Sequence, residues 1–392
     1  MRKGTAADNF FQTDAEQAKS ERRAAKAANK NGSPITLKAK LVAALQDPTS
    51  LGSILVAESS GSIRRVNIDT ENTKDVFRGP VAPVTCIAVG GQGSRTVFAG
   101  CWDKDVWSWD LASKVSGRKY SGHSDFVKAV CCAKIGGKEC LISGGADKKI
   151  MVFDTETGTR LHVLQDQTIP MMAVQALAID PLESTPDSVI LVSASSDPHI
   201  RRWRISLDSV EQIKESEPGK PASVRHTILE HDTTVYKMIF DIESEEVDLW
   251  TSSGDGTAKC LSRQQGYATD DTFKHGDHVR SVAVTDAWVI TAGRDEDVKV
   301  WDRTSGKLYC TLEGHYDEVT DLVVVDQGRR VISVSIDGTV RTWLLQKAEL
   351  DKVNKDKEDE AKGAQKDNEE GATEGGMTAE EEAELAALMD DD

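Results

Sequence analysis

Residues 291–302 read TAGRDEDVKVWD, and residues 333–344 read SVSIDGTVRTWL. In both stretches, small and β-branched residues lead into a turn at an aspartate, and an alternating run then ends on a tryptophan six residues later. Such residues favour strands and Asp-Gly favours a tight turn, so each stretch is typical of a β-hairpin. The phrase returns as AGCWDKDVWSWD (99–110), SGGADKKIMVFD (143–154), SASSDPHIRRWR (193–204) and TSSGDGTAKCLS (251–262), with a degraded copy, AESSGSIRRVN (57–67).

The spacing of these copies predicts how they assemble. The turn aspartates are residues 103, 147, 197, 255, 295 and 337, with Ser60 in the first copy, and successive copies lie 40 to 58 residues apart. A hairpin cannot bury both of its faces alone, so each unit needs neighbours on both sides. Seven units of this length predict four-stranded sheets stacked radially around a common axis.

The motifs resemble the WD40 repeat family over residues 35–345. The Gly-His element of that family is present as Gly122-His123 and Gly314-His315, and in altered form as Glu230-His231 and Lys274-His275. The resemblance implies an all-β fold, a seven-bladed WD40 β-propeller with flexible N- and C-terminal tails. Because no strand-like segment follows Trp343, Ile35-Thr36-Leu37 is expected to supply the outer strand of the last blade and so to close the ring.

The His, Ser or Thr, Asp and Trp residues of each repeat have two interpretations. A catalytic relay needs an acid, a base and a nucleophile, but an active site would not be copied in several blades. In the WD40 family the matching residues form a buried hydrogen-bond network that stabilises each blade, and we expect that role here. The expected network residues are His123, Ser143, Asp147, His231, Asp255, His275, Thr291, Asp295, Trp301, His315, Ser333, Asp337 and Trp343.

No catalytic, cofactor or metal site is expected. The eight histidines are dispersed, and no phosphate-binding glycine motif follows a strand. The seven cysteines form no CxxC pair and lie mostly in apolar runs, which is typical of buried free thiols. An enzyme with a site at the mouth of the central channel is the least favoured alternative.

One face of the ring is the expected binding surface. On WD40 propellers, the residue before each turn aspartate and the residues that begin the innermost strands line one face around the channel. The matching candidates are Trp102, Phe126, Tyr236, Arg280, Arg294, Tyr316 and Ile336. Trp, Tyr and Arg dominate interface energetics, so the expected partners are proteins or peptide segments. The alternative is that these are packed loop residues.

The formal net charge of −17 disfavours direct binding to nucleic acid or to anionic membranes. An adaptor in nucleic-acid-associated machinery, such as chromatin or ribosome assembly, remains an alternative through protein contacts or local basic patches. Those patches would consist of Arg201, Arg202, Arg204, Arg329 and Arg330. No apolar run has the length of a membrane span and no signal peptide is recognisable, so we expect a cytoplasmic or nuclear protein.

Two segments flank the expected propeller. Residues 1–34 should form a helical or disordered extension, because Thr13 and Glu16 make a capping box before strong helix formers. Its basic residues, which form either a weak nuclear-import patch or a solvated face, are Lys19, Arg22, Arg23, Lys26 and Lys30.

Residues 346–392 hold seventeen acidic and six basic side chains and should form a disordered acidic tail. Within it, residues 378–389 either stay disordered or form a short helix that presents Leu385, Leu388 and Met389 to a partner. The sequence as a whole predicts a non-catalytic scaffold, monomeric as a propeller, that mediates protein interactions in an intracellular multiprotein complex.

Overall fold

The computed structural model describes residues 21–359, apart from residues 22, 25, 218 and 219. The chain divides into two compact units, Met1–Leu345 and Gln346–Asp392. The first unit contains seven four-stranded antiparallel sheets. The expected seven-bladed β-propeller is therefore confirmed.

The strands follow one another around the ring, blade by blade. The first strand, β1 (Ile35–Thr36), belongs to the last blade. Blade 1 consists of β2 (Leu41–Gln46), β3 (Ser53–Glu58), β4 (Ser62–Asn67) and β5 (Val76–Arg78). Blade 2 consists of β6 (Val84–Gly90), β7 (Thr96–Cys101), β8 (Val106–Asp110) and β9 (Ser116–Tyr120). Blade 3 consists of β10 (Val127–Ile135), β11 (Lys138–Gly145), β12 (Ile150–Asp154) and β13 (Arg160–Leu164).

The remaining blades have the same order. Blade 4 consists of β14 (Val174–Ile179), β15 (Ser188–Ser195), β16 (Ile200–Ser206) and β17 (Val210–Gln212). A two-stranded sheet follows, formed by β18 (Glu215–Glu217) and β19 (Lys220–Arg225). Blade 5 consists of β20 (Val235–Phe240), β21 (Leu249–Ser253), β22 (Thr257–Ser262) and β23 (Ala268–Lys274). Blade 6 consists of β24 (Val279–Val284), β25 (Trp288–Gly293), β26 (Val298–Asp302) and β27 (Leu308–Leu312). Blade 7 consists of β28 (Val319–Val325), β29 (Arg330–Ser335), β30 (Thr339–Leu344) and the N-terminal strand β1.

The ring closes through this N-terminal strand, as the sequence predicts. Ile35 pairs with Val340 and Thr36 with Thr339, in antiparallel register. The backbone N–H of Leu37 continues the pairing by donating to the carbonyl of Gly338 at 2.7 Å. Blade 7 therefore has four strands like the others, although its strands come from both ends of the propeller sequence.

The core of the ring lies between neighbouring blades. Ile54 and Val56 of blade 1, for example, pack in one buried cluster with Val334 of blade 7. The innermost strand of every blade also contacts the innermost strands of both neighbouring blades, which closes a cylinder around the central channel. Because each sheet has apolar residues on both faces, radial stacking is the arrangement that buries them.

Each innermost strand carries an irregularity at the same point. The pairing with the second strand skips one residue after the first pair, as between Val127 and Ala129. The seven skipped residues are Val42, Thr85, Lys128, Gln175, Tyr236, Arg280 and Thr320. Such bulges change the direction of a side chain relative to the regular strand. These seven residues therefore occupy equivalent positions in the seven blades, where each innermost strand begins.

The segments outside the propeller are partly helical. The described residues between 21 and 27 are in a helix, and residues 347–359 form a second helix. We expected the latter residues to lack regular structure, but they include strong helix formers, and Lys352 pairs with Glu349 at 2.8 Å one turn earlier. Thr13, Glu16, Lys19, Arg22 and the predicted tail motif Leu385, Leu388 and Met389 lie outside the described residues.

Candidate functional site

One backbone hydrogen bond recurs in all seven blades and defines a common face. The residue before each turn aspartate, or before Ser60 in blade 1, donates its N–H to the carbonyl of the residue before the innermost strand. The donor–acceptor pairs, at 2.7–3.0 Å, are Ser59–Lys40, Trp102–Pro83, Ala146–Phe126, Ser196–Ala173, Gly254–Thr234, Arg294–His278 and Ile336–Glu318. We call the face that carries these turns and loops the top face.

The expected network residues meet below this face. In blade 3, one ring nitrogen of His123 lies 2.9 Å from Asp147 and the other 2.9 Å from Ser143. In blade 5, His231 lies 2.7 Å from Asp255 and 2.8 Å from Thr251. In blade 6, His275 lies 2.8 Å from both Asp295 and Thr291. In blade 7, His315 lies 2.9 Å from Asp337 and 2.7 Å from Ser333. The indoles of Trp301 and Trp343 donate to Thr291 and Ser333 at 2.8 Å. Thr251, which we did not predict, completes the set in blade 5.

The electrostatics of blade 7 show what this arrangement does. Burial alone would raise the pKa of Asp337, but hydrogen bonds from His315 and Thr339 outweigh it and hold the pKa below the usual value. Burial lowers the pKa of His315 despite the hydrogen bond to Asp337, so the neutral imidazole faces an ionised carboxylate. Ser333, which accepts from Trp343 and contacts His315, is fully buried. The arrangement holds loop and strands together and offers no accessible nucleophile.

Blades that lack the histidine use other residues for the same connection. In blade 4, Arg201 binds Asp166 of the preceding loop at 2.8 Å and the turn residue Asp197 at 3.2 Å. In blade 2, the indole of Trp107 donates to Asp103 at 2.8 Å. Blade 1 replaces the set with buried Glu58, which binds Ser60, Ser62 and Arg64.

Arg64, Trp107 and Arg201 share one position, two residues before the aromatic position of each repeat, which Val66 and Leu261 hold in blades 1 and 5. The basic residues at that position are Arg64, Arg201, Lys259, Lys299 and Arg341. Lys299, for example, binds the carbonyl of His275 at 2.6 Å and Asp295 at 2.8 Å. The recurrence of a basic residue two places before the aromatic was a signal in the sequence that we did not use.

The arginines considered as local basic patches are mostly paired within the protein. Arg201 is fully buried in its contacts with Asp166 and Asp197. Arg202 stacks on Tyr267 at 4.8 Å, and Arg330 binds Asp69 at 2.7 Å. Arg204 is exposed, with Glu211 at 3.6 Å. Arg201, Arg202 and Arg330 are thus held in internal contacts, whereas Arg204 and Arg329 are exposed.

Two of the candidate partner-binding residues meet on the top face. Trp102 in the turn of blade 2 stacks on Phe126 in the loop before blade 3, with ring centroids 4.8 Å apart and planes 13° from parallel. The exposed fractions are 47% for Trp102 and 38% for Phe126. The two rings thus form one exposed aromatic surface that bridges neighbouring blades.

The other candidates are placed differently from one another. Tyr236 and Arg280 occupy equivalent bulge positions, and the guanidinium of Arg280 lies 4.3 Å from the centre of the Tyr236 ring. Arg280 also pairs with Glu318 at 3.0 Å, and the hydroxyl of Tyr316 donates to the carbonyl of Asp337 at 3.0 Å. Arg294 is exposed and Ile336 is half-buried. Of the two predicted arginines, Arg294 therefore remains open to a partner.

Sequence reasoning missed the bulged residue of blade 3, Lys128. Burial lowers the pKa of Lys128, and the nearby positive charge of Arg280 adds to this effect. Among the described residues, no carboxylate lies within ion-pair distance of this ammonium group. Lys128 was not recognisable from the sequence, since its role depends on the register of β10 against β11.

The N-terminal extension also reaches the ring. Arg23 pairs with Asp317 at 3.1 Å, and Lys26 pairs with Glu296 at 3.0 Å. The acidic loops of blades 6 and 7 therefore bind Arg23 and Lys26, contacts that we did not predict, and the nuclear-import interpretation stays a prediction. Lys30 is exposed.

Among the described residues, no group of three or more His, Cys, Asp or Glu side chains is arranged to hold a metal ion. No described helix is both long and apolar enough to cross a membrane. The seven cysteines are free thiols, and burial raises the pKa of Cys86 to about 12 and that of Cys101 to about 11, which makes both thiols poor nucleophiles.

Comparison with known proteins agrees with this geometry. The family profile described as "WD domain, G-beta repeat" matches residues 114–154, 270–302 and 306–343. The chain contains WD40 repeats. An uncharacterized WD repeat-containing protein of Schizosaccharomyces pombe is 27% identical over 97% of this WD40-repeat protein and 98% of its own length.

Two further relatives match a smaller share of the chain. Nuclear distribution protein nudF of Aspergillus niger is 24% identical over 69% of the chain and 51% of its own length. Pre-mRNA-processing factor 19 homolog 2 of Arabidopsis thaliana is 25% identical over 54% of the chain and 37% of its own length. WD40 propellers are generally non-catalytic scaffolds that bind proteins or peptides.

Proposed function

We propose that this WD40-repeat protein is a non-catalytic scaffold whose top face binds protein or peptide segments within a multiprotein complex. The observation that carries the proposal is the exposed stack of Trp102 on Phe126. Backbone hydrogen bonds fix the loops that carry both rings. The N–H of Trp102 donates to the carbonyl of Pro83, and the N–H of Ala146 donates to the carbonyl of Phe126. Aromatic side chains that are already ordered lose little freedom on binding, and they are frequent centres of interface affinity.

The burial of the His–Asp–Ser networks supports a structural role for them and hence a non-catalytic protein. Ser143 and Ser333, the would-be nucleophiles, have no exposed surface, and their partners recur in four blades. We place the protein in the cytoplasm or nucleus and the propeller as a monomer within its complex. Three of the five arginines that would carry the nucleic-acid-associated alternative, Arg201, Arg202 and Arg330, are paired internally, whereas Arg204 and Arg329 are exposed.

The proposal is tested by affinity purification from the source cells with quantitative mass spectrometry. Trp102→Ala should lose its main partners, because an interface tryptophan contributes about 2 kcal/mol or more, roughly a thirtyfold change in affinity. The matched control is Leu308→Ala on the outer strand of blade 6, which removes an apolar side chain that is 48% exposed. This control should keep every partner.

Both variants should keep the wild-type melting temperature. The proposal fails if Trp102→Ala keeps every partner while deletion of residues 377–392 loses them. In that case the acidic tail would be the recognition element and the ring only its platform.

A further inference from the structure

The charged groups on the top face are unevenly distributed around the ring. The loops of blades 6 and 7 carry Glu296, Asp297 and Asp317, and the chain's own Arg23 and Lys26 pair with them at 3.0 to 3.7 Å. Two of these three negative charges are therefore compensated from within the protein. A partner approaching the top face meets its open charges elsewhere.

Besides Arg294 at blade 6 and Lys40 at blade 1, open cations lie in blades 2 and 3, which carry the aromatic stack. Besides Lys128, the turns of blades 2 and 3 carry Lys104, Lys148 and Lys149. Within the described chain, none of these four lysines has a carboxylate at ion-pair distance. We call Trp102, Phe126, Lys104, Lys128, Lys148 and Lys149 the blade 2–3 patch.

The acidic groups beside this patch are directed into the turns. Asp103 accepts from the indole of Trp107 at 2.8 Å, and Asp105 pairs with Lys119 at 2.7 Å. Asp125 accepts from the backbone of Phe126 at 2.8 Å, and Asp147 binds His123 at 2.9 Å. These carboxylates hold the loops in place, while the lysine side chains remain without such contacts.

Lys128 and Arg280 bring positive charge to the channel mouth itself. They are bulge residues of blades 3 and 6. Burial and then the charge of Arg280 lower the pKa of Lys128, whereas the nearby Asp125 acts to raise it. Glu318 compensates the charge of Arg280, whereas Lys128 is partly buried and has no carboxylate at ion-pair distance among the described residues. A carboxylate placed here would supply the charge that the site lacks, and a desolvated charge pair binds more strongly than an exposed one.

We infer that the blade 2–3 patch selects an acidic peptide segment that carries at least one large apolar side chain. The apolar side chain would pack on Trp102 and Phe126, and flanking Asp or Glu residues would pair with Lys128, Lys148 and Lys149. This inference rests on the proposed function and specifies its partner. On a protein of net charge −17, such a patch favours acidic partners at close range while the rest of the surface repels them, so selection depends on the local fit.

Single-stranded nucleic acid also combines negative charge with flat rings, so it is the competing ligand class. We favour a peptide because strand binders present successive aromatic platforms along a basic groove. The top face offers one stacked pair, and its two rings already use part of their faces on each other.

The test is selection of a random 12-residue phage-displayed peptide library on the full-length protein. Selections on wild type and on Trp102→Ala identify the peptides that depend on the aromatic stack. Those peptides should be acidic and contain an aromatic residue, Leu or Met. The double variant Lys128→Gln/Lys149→Gln should weaken their binding about tenfold or more, since each neutralised lysine removes one charge-assisted contact.

The matched control is Lys40→Gln, which removes an exposed lysine from the top face at blade 1 and should leave affinity unchanged. If the Trp102-dependent peptides are neutral or basic, or bind the double variant as well as wild type, the inference is overturned while the proposed function stands. If no selected peptide depends on Trp102, both fail. A 12-nucleotide single-stranded DNA that binds more tightly than the peptides, with the same dependence on Trp102 and Lys128, would overturn the peptide assignment.

Discussion

Lys26 and Glu296 are separated by 270 positions in the sequence, and their side chains pair at 3.0 Å. The contact joins the N-terminal helix to the turn of blade 6. A second anchor lies close to β1, where the backbone N–H of Thr342 donates to the carbonyl of Gly32 at 2.7 Å and the guanidinium of Arg341 binds the carbonyl of Asn31. The N-terminal extension is thus tied to the ring both before and at the closing strand.

Reversing the charge of Lys26 should loosen this connection. The side chains of Lys26 and Glu296 are only 16% and 12% exposed, so we expect Lys26→Glu to cost about 1–2 kcal/mol. Hydrogen exchange in the turn of blade 6 should become faster. Lys30→Glu, a reversal at an exposed position of the same segment, should change neither quantity. Equal exchange in the two variants would show that the ion pair does not hold the segment.

The network of blade 7 should contribute measurably to stability. Asp337→Ala leaves His315 without its carboxylate partner in a buried site, and we expect a loss of about 1–3 kcal/mol in the free energy of unfolding. Asp286→Ala, at an exposed turn of blade 6, should be close to neutral. Chemical denaturation of the two variants decides the matter, and equal unfolding midpoints would contradict the network's role.

Blade 4 should be even more sensitive at Asp166. Removing this carboxylate leaves Arg201, whose side chain is fully buried, with Asp197 as its remaining ion-pair partner. Removing one partner of a buried ion pair costs about 3–5 kcal/mol, so Asp166→Ala should reduce soluble yield and melting temperature more than Asp337→Ala. The control is Asp187→Ala in the exposed hairpin of the same blade. Should Asp166→Ala melt like this control, Arg201 would have to be satisfied in another way.

The free energy of unfolding should fall in two stages as the pH is lowered. The pKa of His315 is lowered below its usual 6.5 in the folded protein, so its contribution is complete above pH 6.5 and is lost as pH falls through the folded value. The pKa of Asp295 is lowered to about 2 and that of Asp337 also lies below 3.8, so their contributions are complete above pH 4 and are lost at lower pH.

Melting curves across pH 7 to 5 isolate the histidine stage. Wild type should lose more melting temperature in this interval than His315→Asn, which has no imidazole to protonate. Below pH 4 the carboxylate stage should appear in both proteins. Parallel curves between pH 7 and 5 would contradict a buried neutral His315.

Because β1 closes the ring, two N-terminal deletions should have different effects. Removing residues 1–30 loses the Lys26 ion pair but keeps β1, so the product should be a monomer with a lowered melting temperature. Removing residues 1–37 also deletes β1 and exposes the edge of β30, which should promote aggregation. Size-exclusion chromatography separates the two results. Two equally monomeric products would show that β1 is dispensable for closure.

The repeat, together with the resemblance to the WD40 family, was sufficient to predict the seven blades and the closing strand, and the resemblance implied the contacts among the His, Asp, Ser or Thr and Trp residues. The alternation of apolar residues and the turn chemistry of each hairpin are local properties, so residues such as Asp337 and Trp343 carry their structural meaning within one repeat. Because these properties are local, the degraded copy around Ser60 still predicted a blade, although Glu58 takes the place of the His–Asp network there.

The tertiary structure alone decided which charged and aromatic side chains are used in contacts within the protein and which remain accessible to a partner. Arg201 and Arg23 look like surface cations in the sequence, but one is buried against Asp166 and the other pairs with Asp317. Trp102 meets Phe126 because the loops of two neighbouring blades converge, and Lys128 stands at the channel mouth because β10 skips one residue in its pairing with β11. The physical reason is that burial and charge compensation depend on groups brought together by blade packing and strand register, which no single repeat encodes.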